Sequence, residues 1–500
     1  MKRLRDLRGY IDALKSYDEV QEINIPVDWN LEIGAITRRT YELRAPAPLF
    51  NNIKGCASGF RVLGAPIGVS GNAGRPYTRI ALSLGLPAAS TASEIIEYMS
   101  GWARLDKRRA PKVVTQAPSQ ENVIMGEDID MMSFPSPLIH DGDGGRYFGT
   151  LAVLVTRSPD KSWTNWSVHR CMLHEKKNKL FVNFSTSNKI GKHAAMIYAM
   201  WQEIGKPMPV AVVQGVAPLI LMIASTPLPD RVSEGEVLGA FLDEDIEVVR
   251  CKTVDLEVPA FAEIIVEGLI GPDDHALEGP MGEYCGYLTP NSAREKPLMN
   301  VTAITYRDQP ILPVCAAGYP AEENHTCWGT AIAASVLAEL RAQDFPVTTC
   351  FIPFETAIQW LVVTVDSKRQ PSEDDPDSTE FARRIGEAVF QTRGGINIPK
   401  VIVVHDDIDP ANLVEVSWAF ATRCHAGIGE IHLEHLRHNP LEICLHTDEI
   451  APPNSTKTVY NCLFQGRSPG DKLRRSSFEH IYPQDVQKKV LDNWSRYGFS

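Results

Sequence analysis

Residues 323–343 read ENHTCWGTAIAASVLAELRAQ, a long run dominated by alanine and aliphatic side chains. Alanine and leucine favour helices, and a helix that is apolar on most sides is usually buried. We therefore predict a long buried helix that connects two domains. Before it, the chain is rich in β-like runs from about residue 120. After it, runs of strand and helix character alternate between residues 347 and 423, which is typical of an α/β domain.

The composition is that of a globular protein. The 500 residues are 44% hydrophobic and 22% charged, which indicates two or three domains with ample core. The net charge of −12 argues against wholesale binding to nucleic acid or to anionic membranes. We find no run approaching the ~18 apolar residues that a membrane span needs. The segment MKRLRDLRGYIDALKSYDEV at 1–20 predicts an amphipathic helix over 3–17 rather than a signal peptide.

The ten cysteines are scattered and form no CxxC pair. Several lie in apolar runs, such as PVCAAG at 313–318 and TTCFI at 348–352. This pattern favours buried free thiols in a reducing compartment over a disulfide framework. We therefore predict a cytoplasmic protein.

The stretch LEGPMGEYCGY at 277–287 carries two glutamates, Glu278 and Glu283, on either side of Gly-Pro-Met-Gly. Proline has no backbone N–H and glycine permits turns closed to other residues, so a regular helix is disfavoured here. Two carboxylates on such a loop could act as an acid and a base. A surface loop with two solvated glutamates is the alternative.

Arg170 lies inside the apolar run SVHRCML at 167–173. An arginine within an apolar strand is costly unless a carboxylate pairs with it, and Glu278 or Glu283 would serve. An arginine at a strand end, with its head group in solvent, is the alternative.

Known motifs give little further guidance. The sequence contains no GxGxxG, Walker, HExxH or GxSxG pattern, so Rossmann, P-loop, zincin and serine-hydrolase interpretations lack support. The run HDGDGG at 140–145 fails the EF-hand spacing and predicts a turn. Asn165, His193 and Glu234 offer nitrogen and oxygen ligands that would suit Mn²⁺ or Mg²⁺. Each of them also has an ordinary role, at a strand end, a helix N-terminus or a helix start.

Motifs along nearly the whole chain resemble the UbiD family of prenylated-FMN-dependent decarboxylases, in particular the ferulic/cinnamic acid and pyrrole-2-carboxylate decarboxylase branch. The motifs are LEIGAITRR (31–39), RAPAPLFNNI (44–53), HDGDGGRYFGT (140–150), TNWSVHR (164–170), the segment 193–234, LEGPMGEYCGY (277–287), EENHT (322–326), DDID (406–409) and VLDNWSRYGFS (490–500).

The resemblance implies an α/β (α+β) fold in which a split β-barrel binds the flavin and a C-terminal α/β domain mediates dimerisation. The expected divisions are an N-terminal α/β region (1–118), the split β-barrel (119–318), a connecting helix (319–345), the C-terminal α/β domain (346–470) and a C-terminal helical extension (471–500).

The resemblance also implies roles for individual residues. Glu283 is expected to donate the proton, while Glu278 and Arg170 form the ion pair that supports it. Mn²⁺ is expected on Asn165, His193 and Glu234, and K⁺ on the backbone near Trp163. The expected residues of the cofactor site are Thr150, Asn165, Ser167, Arg170, Lys192, His193, Ser225, Glu234 and Arg393. Arg393 stands where the family often has a phosphate-binding lysine.

The implied reaction is the reversible, non-oxidative decarboxylation of an aromatic or heteroaromatic acid through a covalent prenylated-FMN adduct, with release of CO₂. A flavin prenyltransferase would supply the cofactor, and the enzyme is expected to be a homodimer that binds neither nucleic acid nor membrane. Two alternatives are a decarboxylase of cinnamic or ferulic acids and a flavin-binding paralogue without activity.

Four positions bear on the substrate, and they are Asn324, Trp328, Asn439 and Leu441. Asparagine at 324 is typical of the pyrrole enzymes, whereas the cinnamate enzymes carry threonine there. Trp328 replaces a smaller aliphatic residue, and Asn439, beside Leu441, replaces a phenylalanine. A bulky ring and two amides favour a short, polar, ring-type acid over an extended cinnamate, although the changes could also compensate one another in packing. Lys192 stands where relatives usually carry glutamine, and its positive charge could serve either the flavin phosphate or a carboxylate.

Overall fold

The computed structural model describes residues 4–103, 107–184, 192–368, 378–439, 441–445, 454–464 and 474–499. The α-helices in these ranges are α1 Leu7–Lys15, α2 Glu32–Leu43, α3 Thr78–Ser83, α4 Ala92–Ala103, α5 His193–Glu203, α6 Pro218–Ala224, α7 Glu234–Leu242, α8 Thr330–Ala342, α9 Ser378–Gln391, α10 Leu413–Arg423, α11 Phe478–Ile481 and α12 Gln484–Asp492. The strands are β1 Val20–Ile23, β2 Ala47–Phe50, β3 Arg61–Gly64, β4 Lys112–Val114, β5 Asn122–Met125, β6 Tyr147–Arg157, β7 Thr164–Met172, β8 Lys179–Phe181, β9 Met208–Gln214, β10 Glu247–Arg250, β11 Glu257–Pro259, β12 Ile264–Ile270, β13 His275–Glu278, β14 Arg294–Tyr306, β15 Ile311–Val314, β16 Val347–Phe351, β17 Trp360–Val365, β18 Lys400–His405, β19 Glu430–Arg437 and β20 Asn454–Asn461.

The N-terminal part packs helices on a four-stranded sheet of order β1-β2-β3-β15. Helix α1 buries Leu7, Tyr10, Ile11 and Leu14, which are the apolar positions spaced for one helical face. The helix predicted over 3–17 is therefore present, although it is shorter. Strand β15 comes from the end of the central part of the chain, so this sheet joins the first two parts.

The central part is built on an eight-stranded sheet with the main order β13-β14-β12-β9-β6-β7, and β5 and β8 pair with β14. The predicted α/β (α+β) class is confirmed, although this sheet is not closed into a barrel. Its end strands, β13 and β7, do not pair with each other among the described residues. The ion pair between Glu278 of β13 and Arg170 of β7 spans the gap between them. Side chains thus join the two edges where a barrel would have a backbone ladder.

A long helix occupies the segment predicted as a buried helix, with one difference at its start. Residues 324–329 form a π-helical turn that runs directly into α8. Almost every residue of α8 is buried. π-Helical turns within helices often occur at functional sites, and this one includes Asn324 and Trp328.

The C-terminal part is a five-stranded sheet of order β16-β17-β18-β20-β19 with α9 and α10 alongside. Strands β17, β18 and β20 run parallel, and β16 and β19 are antiparallel edge strands. The predicted α/β class is confirmed. Helix α12 buries none of its residues. No helix in the described ranges is both long and apolar enough to cross a bilayer.

Candidate active site

The structure brings Arg170, Glu278 and Glu283 together. The guanidinium of Arg170 donates from Nε to Oε1 of Glu278 at 2.9 Å and from Nη2 to Oε2 at 3.0 Å. Its Nη1 donates to Oε1 of Glu283. The side chain of Glu278 is 0% exposed, whereas that of Glu283 is 22% exposed. One carboxylate is therefore held inside the protein, and the other is partly exposed to solvent.

Glu278 is fully engaged by its neighbours. Besides Arg170, it accepts hydrogen bonds from Tyr147 Oη at 3.0 Å and Asn183 Nδ2 at 3.0 Å. Burial lowers the pKa of Arg170, but the Glu283 and Glu278 carboxylates raise it by a larger amount. The pKa of Arg170 is therefore raised overall, and the guanidinium stays charged. Burial also raises the pKa of Tyr147, which stays a neutral donor. These contacts hold Glu278 in place as the bidentate ion-pair partner of Arg170.

The loop after Glu278 is held by hydrogen bonds to the HDGDGG segment at 140–145. The Gly282 N–H donates to Asp143 Oδ1 at 2.9 Å, and the Gly144 N–H donates to the Pro280 carbonyl at 2.7 Å. A Cβ at Gly144 would lie 2.0 Å from the Gly279 carbonyl oxygen. Gly279 has φ +88°, a conformation that favours glycine. The predicted turn at 140–145 is confirmed, and it fixes the approach of Glu283 to Arg170.

Asn165, His193 and Glu234 also meet, and all three are buried. Asn165 Nδ2 donates to Glu234 Oε1 at 3.1 Å, and His193 Nδ1 lies 3.7 Å from that same oxygen. His193 Nε2 is buried without a hydrogen bond to any described residue. Its nearest acceptor, Asp230 Oδ1, is 3.3 Å away but poorly aligned. An orphaned imidazole nitrogen beside a carboxylate and an amide fits a bound cation.

Two further residues border this group. The Trp163 ring packs edge-on against His193 with the ring centroids 4.7 Å apart. Arg393 forms an ion pair with Asp230, and burial lowers the pKa of Arg393. Asp230 thus lies between His193 of the central part and Arg393 of the C-terminal part.

The remaining predicted cofactor residues have their hydroxyls engaged in hydrogen bonds within the protein, and Ser167 contacts this group directly. Ser167 Oγ donates to Asn165 Oδ1 at 3.0 Å and lies 2.9 Å from His169 Nε2. Thr150 Oγ1 accepts from the Cys315 N–H at 2.8 Å, and Ser225 Oγ donates to the Leu221 carbonyl at 2.9 Å. Burial lowers the pKa of His169 to about 3, so this ring is neutral.

Lys192 immediately precedes His193 at the start of α5. Burial and the Arg170 charge lower the pKa of Lys192, while the Glu283 carboxylate raises it. Its side chain nevertheless remains open to solvent. Lys192 thus places an ammonium group next to His193 in the chain and within electrostatic reach of Glu283.

Tyr284 joins the glutamate loop to the predicted substrate pocket. Asn439 Nδ2 donates to Tyr284 Oη at 2.6 Å, and the Trp328 ring packs edge-on against Tyr284 at 5.5 Å between centroids. Asn439 Oδ1 accepts from the Leu441 N–H at 3.0 Å. Tyr284 directly follows Glu283 in the chain. Its contacts therefore place Trp328 and Asn439 next to the glutamate loop.

Asn324 is oriented by Glu322. The Asn324 Nδ2 donates to both carboxylate oxygens of Glu322, at 3.0 Å and 3.2 Å, and the Asn324 N–H donates at 2.8 Å. Burial raises the pKa of Glu322 to about 7. The amide nitrogen of Asn324 therefore donates to Glu322, and its Oδ1 is the atom of this side chain that can accept a hydrogen bond from a ligand.

Glu322 also belongs to a buried cluster with Cys315 and Glu323, whose possible ligand atoms lie within 4.8 Å of one another. Cys315 Sγ donates to Glu322 Oε2 at 2.9 Å, and Glu323 accepts from Tyr41. These internal hydrogen bonds account for the burial of the cluster without a metal ion.

Comparison with known proteins places the chain in a family. Three family models match, described as the 3-octaprenyl-4-hydroxybenzoate carboxy-lyase N-terminal domain (residues 11–99), Rift-related domain (112–320) and C-terminal domain (325–462). Together they span most of the chain and define it as a carboxy-lyase. The chain belongs to the UbiD family.

Two relatives extend over nearly the full length. The chain is 41% identical to the pyrrole-2-carboxylic acid decarboxylase of Pseudomonas aeruginosa, covering 99% of this chain and 98% of the relative. It is 35% identical to ferulic acid decarboxylase 1 of Saccharomyces cerevisiae, with the same two coverages of 99% and 98%. Among solved structures, a UbiD-class enzyme from Pelotomaculum thermopropionicum in complex with FMN matches with a TM-score of 0.80, 26% identity and coverage of 98% of this chain and 100% of the other.

Several residues of the site were missed by sequence reasoning. Tyr147 and Asn183 hold Glu278, Tyr284 links the pocket to the loop, and Asp230 approaches His193. Tyr284 could have been considered, because it directly follows Glu283. Tyr147, Asn183 and Asp230 carry no signal in their local sequence.

Proposed function

We propose that this protein is a decarboxylase that removes CO₂ non-oxidatively from a small aromatic or heteroaromatic ring acid, with prenylated FMN as its cofactor. The observation that carries the proposal is the Arg170–Glu278–Glu283 constellation, in which Glu278 is fully buried and Glu283 is the partly exposed carboxylate. The curated relatives, named as decarboxylases of pyrrole-2-carboxylic and ferulic acids, support it.

Each member of the constellation has a distinct task. Glu283 delivers a proton to the carbon that loses CO₂, because it is the partly exposed carboxyl. Glu278, ion-paired and hydrogen-bonded on all sides, holds Arg170 in place. Arg170 in turn orients Glu283 through Nη1. The division into one fixed and one reacting carboxyl group is what general acid catalysis requires.

The cofactor would lie between β7 and the start of α5. Arg393 would bind its phosphate, while Thr150, Ser167 and Ser225 would border it. When bound, prenylated FMN supplies the electron sink that takes up the electrons left by CO₂. The P. thermopropionicum enzyme was solved in complex with FMN and, as an evolved dimeric form, with prenylated FMN.

Asn165, His193 and Glu234 would hold Mn²⁺, with K⁺ at the backbone near Trp163. Both cations would neutralise the flavin phosphate. The buried, unbonded Nε2 of His193 supports a cation here.

We expect Glu234→Gln to weaken Mn²⁺ binding at least ~10-fold, since it removes the only anionic ligand of the proposed set. The measurement is a Mn²⁺ titration of purified protein with FMN, followed by electron paramagnetic resonance. Glu236→Gln, in the same turn of α7, is the matched control. Equal Mn²⁺ affinities in the two variants would remove the assignment.

The substrate is best matched by a ring that carries an N–H or O–H donor. Asn324 offers Oδ1 as an acceptor because Glu322 holds its amide nitrogen. Trp328 packs edge-on against Tyr284, so a bulky ring lies beside the glutamate loop and would favour a short substrate. Pyrrole-type acids satisfy both conditions. An extended cinnamate satisfies neither, and a ferulate, the second candidate suggested by the yeast relative, has an O–H donor but is longer.

The nearly isosteric change Asn324→Leu removes the acceptor. We expect kcat/KM for pyrrole-2-carboxylate to fall ~10–100-fold, and for furan-2-carboxylate, which lacks the N–H, to change little. The furan acid is the internal control for any loss of stability. An equal loss for both acids would contradict the proposed hydrogen bond.

The function itself is tested by co-expression with a flavin prenyltransferase, followed by assay of CO₂ release from pyrrole, furan, indole, phenolic and cinnamic acids. We expect release from at least one of the ring acids. A purified protein that carries the mature cofactor and releases CO₂ from none of them would overturn the proposal. It would then favour a non-catalytic flavin-binding paralogue.

We further propose a cytoplasmic homodimer. The ten cysteines are all free thiols, which favours a reducing compartment. The end of the chain exposes Leu491, Trp494, Tyr497 and Phe499 at 62%, 43%, 53% and 54%. A second copy that covers this apolar face would complete the assembly.

A further inference from the structure

His325 lies in the π-helical turn at 324–329, and its side chain is 0% exposed. Its Nε2 lies 2.9 Å from the Tyr284 carbonyl oxygen, and its Nδ1 lies 3.0 Å from the backbone nitrogen of Glu322. A carbonyl oxygen can only accept a hydrogen bond, and a backbone N–H can only donate one. His325 therefore donates from Nε2 to Tyr284 and accepts at Nδ1 from Glu322.

These two hydrogen bonds fix one tautomer of a neutral ring. Burial lowers the pKa of His325 to about 4, so the imidazole is uncharged at neutral pH. Its Nδ1 also lies 3.2 Å from Oε1 of Glu322, but an uncharged ring does not form an ion pair there. His325 thus presents a single N–H, and that N–H is directed at the Tyr284 carbonyl.

The Tyr284 carbonyl belongs to the loop that carries the proposed proton donor, because Tyr284 directly follows Glu283. Within this loop the Glu283 N–H donates to the Tyr287 carbonyl at 3.0 Å. Before it, the Gly282 N–H donates to Asp143 Oδ1 at 2.9 Å. The histidine supplies the corresponding hydrogen bond after Glu283. The backbone is therefore held on both sides of the donor.

The same histidine ties this loop to the turn that carries Asn324. The Glu322 N–H donates to His325, and the Glu322 carboxylate accepts from the Asn324 side chain at 3.0 Å and 3.2 Å. A continuous series of hydrogen bonds thus runs from the Tyr284 carbonyl through His325 and Glu322 to Asn324. The side chains of His325 and Glu322 are both 0% exposed, so solvent does not readily replace a partner that is lost.

We propose that His325 is a positioning residue for Glu283, which it holds in place relative to Asn324 through the Tyr284 carbonyl. The proposal rests on the decarboxylase function above and adds a residue to it. His325 acts through the backbone of the loop, and Asn324 keeps its own hydrogen bonds to Glu322 when His325 is replaced. Loss of His325 should therefore lower kcat and leave KM nearly unchanged.

The test compares two substitutions at this position in the cofactor-loaded enzyme, with pyrrole-2-carboxylate as substrate. His325→Leu fills a similar volume without an N–H, whereas the amide of His325→Gln can still donate to Tyr284. We expect His325→Leu to lower kcat ~10–100-fold, the effect of a displaced catalytic group, with KM within about threefold of wild type. His325→Gln should recover most of the loss.

Thr326→Val is the matched control. Thr326 is a buried residue of the same turn whose hydroxyl contacts Cys327 Sγ at 4.0 Å, and valine has nearly its shape. This variant should keep the wild-type kcat. Should His325→Leu fail to fold, His325→Asn takes its place with the same expected results, because its shorter amide does not reach the Tyr284 carbonyl.

A second readout needs neither cofactor nor substrate. Amide hydrogen exchange, followed by mass spectrometry, should be faster over 282–288 in His325→Leu than in wild type and unchanged over 330–342. His325→Gln and Thr326→Val should match wild type in both segments. Unchanged exchange over 282–288, or a raised KM with an unchanged kcat, would overturn the proposal. If wild type decarboxylates no acid, the proposed function fails, and the exchange data still decide whether His325 holds the loop.

Discussion

Glu283→Gln should lower kcat by ~10²–10⁴-fold, the range expected for loss of a general acid. Glutamine has nearly the same shape, and its carbonyl oxygen can still accept from Arg170 Nη1, so the loop should keep its position. The amide cannot donate a proton to carbon. The measurement is CO₂ release by the cofactor-loaded variant under saturating substrate.

Glu295→Gln is a matched control for this variant. Glu295 is exposed on β14, next to the position that pairs with Glu278. It should retain wild-type kcat and a wild-type melting temperature. An unchanged kcat in Glu283→Gln would remove Glu283 as the proton donor.

Arg170→Met should be both inactive and unstable. It leaves Glu278 with a side chain that is 0% exposed and no cation beside it. Removal of one partner from a buried ion pair costs about 3–5 kcal/mol, and we expect a loss of that size in the free energy of unfolding. Urea denaturation of the variant and wild type measures it.

The double variant Arg170→Met/Glu278→Gln separates stability from activity. Because it also removes the buried charge, it should recover much of the lost stability. It should remain inactive, since Glu283 no longer has its orienting partner. If the double variant were no more stable than Arg170→Met, the unpaired charge would not be the cause of the loss.

Local patterns were sufficient to predict several elements. Leu7, Tyr10, Ile11 and Leu14 are spaced for one helical face, and α1 buries all four. The small and aliphatic residues of 330–342 form the buried α8. The alternation after residue 347 gives the five-stranded C-terminal sheet. In these segments the burial of each residue follows from its own neighbours in the sequence.

The site could be predicted only in part. An arginine in the apolar run of β7 required a carboxylate, and the structure supplies two. That Glu278 would be the bidentate partner depends on Tyr147 and Asn183, which lie 131 and 95 residues away in the chain. Such long-range hydrogen bonds leave no periodicity in the local sequence.

Local sequence patterns also could not predict the open sheet or the hydrogen bonding at the start of α7. The gap between β7 and β13 is spanned by Arg170 and Glu278, so strand patterns alone do not reveal it. Ser233 precedes α7 as a suitable N-cap, yet its hydroxyl makes no capping hydrogen bond and accepts from the Thr164 N–H at 3.3 Å. Tertiary contacts determined both outcomes.

The central claim is that Glu283 exchanges a proton with the carbon that bears the carboxylate. Incubation of the decarboxylated ring, pyrrole, with cofactor-loaded enzyme in D₂O tests it directly, with deuterium incorporation followed by NMR. We expect incorporation at the ring carbon next to nitrogen with the wild-type enzyme and none above background with Glu283→Gln. Equal incorporation by the two proteins would contradict the account.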